Sequence, residues 1–131
     1  MPGPRFDYEY PARFAKARDG ACIELILDLG FNMVINIQFR LDKVDVWGLA
    51  APGDKKWVAI EAHKFVTNEL TEAEEITVHS CRHENGVYFA DIYYRKPGDK
   101  KMRDISKALV KHALATPRLK PKKVKNARVQ D

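Results

Sequence analysis

Between Met33 and Leu41 the chain reads MVINIQFRL, and its side chains alternate with a period of two. Ile35, Ile37, Phe39 and Leu41 fall on one side; Asn36, Gln38 and Arg40 fall on the other. Only an extended strand with one buried face suits this pattern, because successive Cβ atoms point to opposite faces of a sheet. A slip of one residue would expose the whole apolar set, so the pattern also fixes the register. Arg40 therefore points out of the core, where a guanidinium reaches a ligand.

The same period marks two earlier strands. One covers residues 5–18, where Phe6, Tyr8 and Tyr10 alternate with Arg5, Asp7 and Glu9; the other covers 21–29, with Ile23, Leu25, Leu27 and Leu29 in phase. Asp19-Gly20 and Gly30 supply the turns between them. A short extended piece follows at 44–47. In VAIEAHKFVTNEL (58–70) the period changes, and Val58, Ala62, Phe65, Val66 and Leu70 form one helical stripe. Strands are expected at 76–80 and 87–95. A closing helix is expected at 105–115, with Ile105, Leu109 and His112 on one face. Five strands with a helix after the third, or after the short fourth, give an α+β fold. They predict the five-stranded, partly open barrel of the OB-fold, whose strand face commonly holds single-stranded nucleic acid.

With 131 residues, 45% of them apolar and 31% charged, the chain has room for one core and one domain. Its apolar runs are too short to span a membrane. Its first residues lack the apolar stretch of a secretory signal. Two cysteines are too few for a disulfide framework and suit a reducing cytoplasm, with a single Cys22–Cys81 bridge left open. Charge divides the chain. Residues 1–117 balance at 17 basic and 17 acidic, and the net +5 sits in residues 118–131. That tail, with Lys120, Lys122, Lys123 and Lys125 and with Pro117 and Pro121 opposing helix, is expected to be extended and flexible. It suits phosphate binding by counterion release or simple solubilisation. The pentapeptide PGDKK occurs at 52–56 and again at 97–101. Each copy predicts a type II turn that presents two lysines, Lys55 and Lys56 or Lys100 and Lys101. Those lysines are either solvated or phosphate-binding.

HSCRH places His79, Cys81 and His83 on one face of a regular strand, a spacing awkward for a single zinc ion but not excluded by sequence. His63 and His112 fall on helices as partly buried polar residues. Among the aromatics, Tyr88, Tyr93, Tyr94 and Trp47 are available for base stacking, with Tyr93 the candidate in the final strand. Half of any alternating set must face the core.

In order and spacing, ARDGAC (17–22), DLGF (28–31), FRLDKVDVWG (39–48), AIEAHKFVTNEL (59–70), NGVYFADIYY (85–94) and ISKALVKHALA (105–115) resemble the staphylococcal nuclease-like (thermonuclease) family over about residues 10–116. The resemblance implies an OB-fold and calcium-dependent cleavage of phosphodiesters. A carboxylate cage holds the ion, a glutamate activates water, and two arginines stabilise the phosphoryl oxygens. Arg40 matches the first arginine, and Asp19 and Asp45 match metal ligands. Ala21 stands in place of a second turn aspartate, Gly48 in place of the base and Val87 in place of the second arginine. Cys22 and Val46 replace flanking threonines. Another register, over GLAAPG (48–53), restores no catalytic residue.

Losing a general base alone costs about 10²–10⁴ in rate. The expectation is thus a catalytically degenerate nuclease-like OB-fold without a cofactor, binding DNA or RNA. The alternatives are an active calcium-dependent endonuclease, and a protein-interaction module using the loops at 48–57 and 95–104, which carry Trp57 and Met102. No membrane association is expected.

Overall fold

The structure, a computed structural model, describes residues 9–49 and 52–117, the side chains of residues 81 and 82 apart. The predicted basic tail lies outside the described residues, as does the part of the first strand before Glu9. Three long strands come first: β1 (Glu9–Ala17), β2 (Cys22–Gly30) and β3 (Met33–Leu41). A two-residue β4 (Val44–Asp45) leads to helix α1 (Lys55–Thr71). Then come β5 (Glu75–Glu84), β6 (Val87–Arg95), the short β7 (Arg103–Asp104), helix α2 (Ile105–Lys111) and the short β8 (Thr116–Pro117).

Strands β1, β2 and β3 form an antiparallel meander; β5 pairs with both β1 and β6. The sheet closes where β3 meets β6 in parallel, pairing Phe39 with Tyr88, Arg40 with Phe89 and Leu41 with Ala90. The result is a closed, mixed, five-stranded barrel with two helices, as the alternation and the helix position predict. The same alternation fills it: Ile23, Leu25, Leu27, Phe39, Leu41, Val78, Ala90, Ile92 and Tyr94 are buried inside. Each fully buried Leu, Ile or Val is worth about 1.5–3 kcal/mol over its exposed state.

Helix α1 plugs one end of the barrel. Its buried stripe is Ala59, Ala62, Val66 and Leu70, with Phe65 packed at the margin. Small residues let the helix sit close. A Cβ on Gly20 would lie 2.7 Å from both the Ala62 methyl and Val46 Cγ1, so only glycine lets the β1–β2 loop rest on α1 here. Helix α2 packs Ile105 and Leu109 into the core, and Asp104 caps it by accepting from the Ser106 amide at 2.9 Å. It stops at Lys111, short of the expected Ala115. Leu114 N–H reaches Leu109 carbonyl at 2.9 Å, Ala113 N–H reaches Val110 carbonyl at 3.0 Å, and Ala113 adopts φ 60°. This is a Schellman stop with alanine where glycine is usual.

Three local expectations change. The two PGDKK segments fold differently. At 97–101 the chain makes the predicted type II turn, with Gly98 at φ 92° and Asp99 N–H bonded to Lys96 carbonyl. At 52–56 the second half joins α1, so Lys55 and Lys56 occupy a helical first turn and not a turn tip. The HSCRH strand carries a bulge between Ser80 and Arg82. His79 therefore pairs with Asp91 and His83 with Tyr88, three residues apart on β6, which puts the two histidines on opposite faces and removes the zinc reading. Of the helical histidines, His63 is half-buried and bonded to Ala17 carbonyl at 2.8 Å, whereas His112 is exposed and lies against Phe65.

Two polar clusters tie the helices to the barrel. Lys43 Nζ lies 2.8 Å from Asp104 and 3.7 Å from Asp91. Burial works against its ammonium, but the hydrogen bond and charge of Asp104 outweigh that and hold its pKa above the ordinary lysine value. In the second cluster Tyr94 donates to Glu69 at 2.7 Å, Lys96 donates to the other oxygen of Glu69 at 3.1 Å, and Arg103 holds Asp99 bidentately. Burial alone would raise the Glu69 carboxyl; the bonds from Tyr94 and Lys96 prevail and hold it below the usual carboxylate range. Tyr94 is pushed up, first by burial and then by Glu69.

Because Glu69 titrates lower folded than unfolded, its contribution is complete above the unfolded value, about 4.3, and is lost as pH falls through the folded one. Tyr94, raised in the fold, contributes below its unfolded value, about 10, and loses that as pH rises through the folded one. Glu69→Gln should therefore cost about 1–3 kcal/mol at neutral pH and flatten the acid limb of stability, read by urea unfolding at a series of pH values. Ala113→Gly should raise stability by about 0.5–1 kcal/mol by relieving the left-handed alanine, read the same way.

Candidate nucleic-acid interface

The β1–β2 loop is built around one carboxylate. Asp19 Oδ1 accepts from the amides of Ala21 at 2.8 Å and Cys22 at 2.9 Å, while Arg18 N–H reaches Cys22 carbonyl at 2.8 Å. Ala21 is buried and its carbonyl accepts from Leu41, so the position expected to hold an aspartate is a packing position joined to β3. Asp19 Oδ2 lies 3.5 Å from where a Cβ on Gly48 would stand. The structure thus brings Asp19 and Gly48 together and leaves no side chain at 48 that could act as a base.

Asp45 and Arg40 line different cavities. Asp45 is exposed, pairs with Thr116 in the β4–β8 ladder, and lines a cavity of about 520 Å³ with Trp47, Gly48 and Lys55. Lys55 Nζ lies 5.8 Å from the centre of the Trp47 ring. Arg40 lines a different groove, of about 490 Å³, between β3 and the tip of the β5–β6 hairpin; Gln38, Gly86, Val87 and Tyr88 line it too. Val87 is therefore near Arg40 and contributes only an apolar wall.

Arg40 neighbours Cys22 on β2 and Phe89 on β6. Cys22 is a free, buried thiol. Burial first, and then the Asp19 charge, push it up against the opposing pull of Arg40 and Arg18, so it stays protonated and inert at neutral pH. The aromatic in the groove is Tyr88, exposed and stacked on His83 with ring centres 4.4 Å apart. Tyr93 is five residues along β6, about 17 Å away. Its ring faces Lys43 Nζ at 5.6 Å, at the barrel's ionic cluster. Tyr94 is fully buried and unavailable for stacking.

Strand register shows what sequence reading missed. On the outer face of the meander, Lys16, Glu24 and Gln38 form one row, and Arg13, Ile26 and Asn36 the next. With Arg18 and Arg40, four cations at this end face two carboxylates, Glu24 and Asp19. No ion pair joins Arg13, Lys16, Arg18 or Arg40 to a partner among the described residues. The alternation of Ala12 and Phe14 with Arg13 was visible in the sequence, but the bulge between Phe14 and Lys16, which returns Lys16 to the outer face, was not. Lys56, Lys100 and Lys101 are exposed elsewhere on the molecule, and Lys120, Lys122, Lys123 and Lys125 lie outside the described residues.

The donor set does not fit calcium, which takes 6–8 oxygens. One oxygen of Asp19 is already committed to two amides, and no cluster of three His, Cys, Asp or Glu side chains among the described residues suits a metal. No helix among the described residues is long and apolar enough to cross a membrane. No protein-family model matches the chain, and no curated protein matches it. Asp19 is read here as a loop-forming residue. Asp19→Ala should lower stability by about 1–3 kcal/mol through its two lost amide bonds, equally with and without calcium, as followed by thermal melts.

Proposed function

We propose that this barrel binds single-stranded nucleic acid without cutting it, as a degenerate relative of the staphylococcal nuclease-like proteins. The observation that carries this reading is the set of unneutralised cations Arg13, Lys16, Arg18 and Arg40 on the outer face of β1–β3 and its loop. It adjoins a groove in which Tyr88 is exposed, with His83 against its ring. An OB-fold uses this strand face and the flanking loops for oligonucleotides. Cations there attract phosphates and release counterions, while an open aromatic stacks on any base. Gln38 and Asn36 add neutral hydrogen-bonding groups between the charges. The absence of a base at Gly48 and of a second arginine at Val87 argues against turnover.

Exposed Trp57 and Trp47 near the start of α1 favour a protein partner as the second reading, since tryptophan anchors many interfaces. An active calcium-dependent nuclease ranks third, on the donor set.

Fluorescence anisotropy with labelled single-stranded DNA and RNA across a salt series tests the main reading. Affinity should fall linearly in log–log form, and Arg40→Ala and Lys16→Ala should each flatten the slope by about 0.7. Tyr88→Ala should cost about 1–3 kcal/mol regardless of sequence. Absence of salt-sensitive binding at micromolar protein overturns the proposal. Calcium-dependent nucleotide release that vanishes in Arg40→Ala would replace it with the nuclease.

A further inference from the structure

We propose that the free edge of β3, residues Met33 to Ile37, pairs with the same edge of a second copy of this chain, antiparallel about a two-fold axis. This rests on the barrel alone and not on the nucleic-acid reading, although the second copy would border the same groove at Ile35, Asn36 and Ile37.

The backbone carries the argument. Strand β3 is paired with β2 from Met33 to Arg40, but with β6 only from Phe39 to Leu41. Before Phe39 its other edge runs past the β5–β6 hairpin tip, so the outward N–H and C=O groups of residues 33–38 meet no strand. The groove beside Ile35, Asn36 and Ile37 is the opening left by that divergence. Proteins usually guard such an edge with lysine, proline or a bulge. Residues 33–38, MVINIQ, contain neither residue, and their ladder with β2 is regular after Met33.

The side chains repeat the message. Leu29, Phe31, Met33, Val34 and Ile35 are five of the eleven exposed large hydrophobic residues among the described residues, packed into a seven-residue stretch. Phe31 is 97% exposed, at the tip of a turn where both Phe31 and Asn32 take positive φ. From Leu29 to Gln38 there is no charged residue in a chain that is 31% charged. A phosphate backbone would find no cation on this edge, whereas a second strand finds donors and acceptors in phase. Self-pairing suits the sequence, because like charges directly opposite would repel and here there are none. Centred on Ile35, it sets Met33 of one copy against Ile37 of the other, Val34 against Asn36 and Asn32 against Gln38. Such an interface is isologous and closes at two copies.

Sedimentation velocity over a concentration series tests this with the full chain. Wild type should sediment as a concentration-dependent dimer. Val34→Lys/Ile35→Lys, both positions exposed, should keep the circular dichroism spectrum and run as a monomer. A second measurement does not depend on affinity. Ile35→Cys lies on the axis, where Cα atoms of paired strands stand about 4.5–5.5 Å apart, within disulfide reach. Under mild oxidation it should form a covalent dimer much faster than Phe31→Cys. A monomeric wild type with equal cross-linking of the two cysteine variants overturns the proposal, as does a dimer that survives the double lysine change. A monomer that dimerises only on added DNA overturns it too, since a nucleic acid and not the strand would then hold the copies together.

Discussion

Three parallel residue pairs between β3 and β6 hold the architecture together. Without them the meander and the β5–β6 hairpin would be an open sheet with two bare edges; with them the sheet becomes a barrel whose interior excludes water. The same short contact explains much of the surface. It sets Arg40 beside Phe89 and near Val87, so the groove's chemistry is decided at the seam. Its brevity lets the rest of β3 diverge, which opens the groove and leaves the β2–β3 ribbon projecting. Closure is thus achieved over a minimal length, and the unpaired remainder becomes surface with its own properties.

Charged side chains reinforce the seam from behind. Lys43 follows β3 by two residues and binds Asp91 of β6 and the capping Asp104 of α2, linking the two seam strands to the helix that packs on them. Glu69 does the corresponding service for α1, through Tyr94 of β6 and Lys96 just after it. Buried or half-buried ion pairs contribute little net stability when desolvation is counted, but breaking one partner leaves a charge stranded. Their effect here is to fix helix positions relative to strands. The fixed α1 in turn fixes the β1–β2 loop through Gly20, and with it Asp19 and the cations that flank it.

The barrel was legible because its strands alternate and its helix changes period, and both signals are local. Ala21, Gly48 and Val87 stood out in the sequence only through a resemblance in motif order; the structure adds that Gly48 lies beside Asp19 and Val87 beside Arg40. What could not be read depends on register and tertiary context. Bulges in β1 and β5 returned Lys16 to the outer face and moved His83 to the other face. Identical PGDKK pentapeptides became a helix start and a tight turn, because one is followed by an apolar helical stripe and the other by Arg103 clamping Asp99. Tyr93 and Tyr94 looked equivalent to Tyr88 as aromatics; only the closed barrel shows that one faces a lysine, one is sealed inside and one is open.

The bulge at residue 81 has a genetic corollary. It is a single surplus residue, and the ladder on either side of it pairs consecutive residues of β6. Loss of that one codon would leave a regular ladder with His83 still opposite Tyr88, because the Ser80–Ala90 and Arg82–Phe89 pairs would simply become adjacent. A change in length is thus absorbed at this point, whereas a deletion between His83 and the hairpin turn would move His83 off Tyr88 and break the stacked pair.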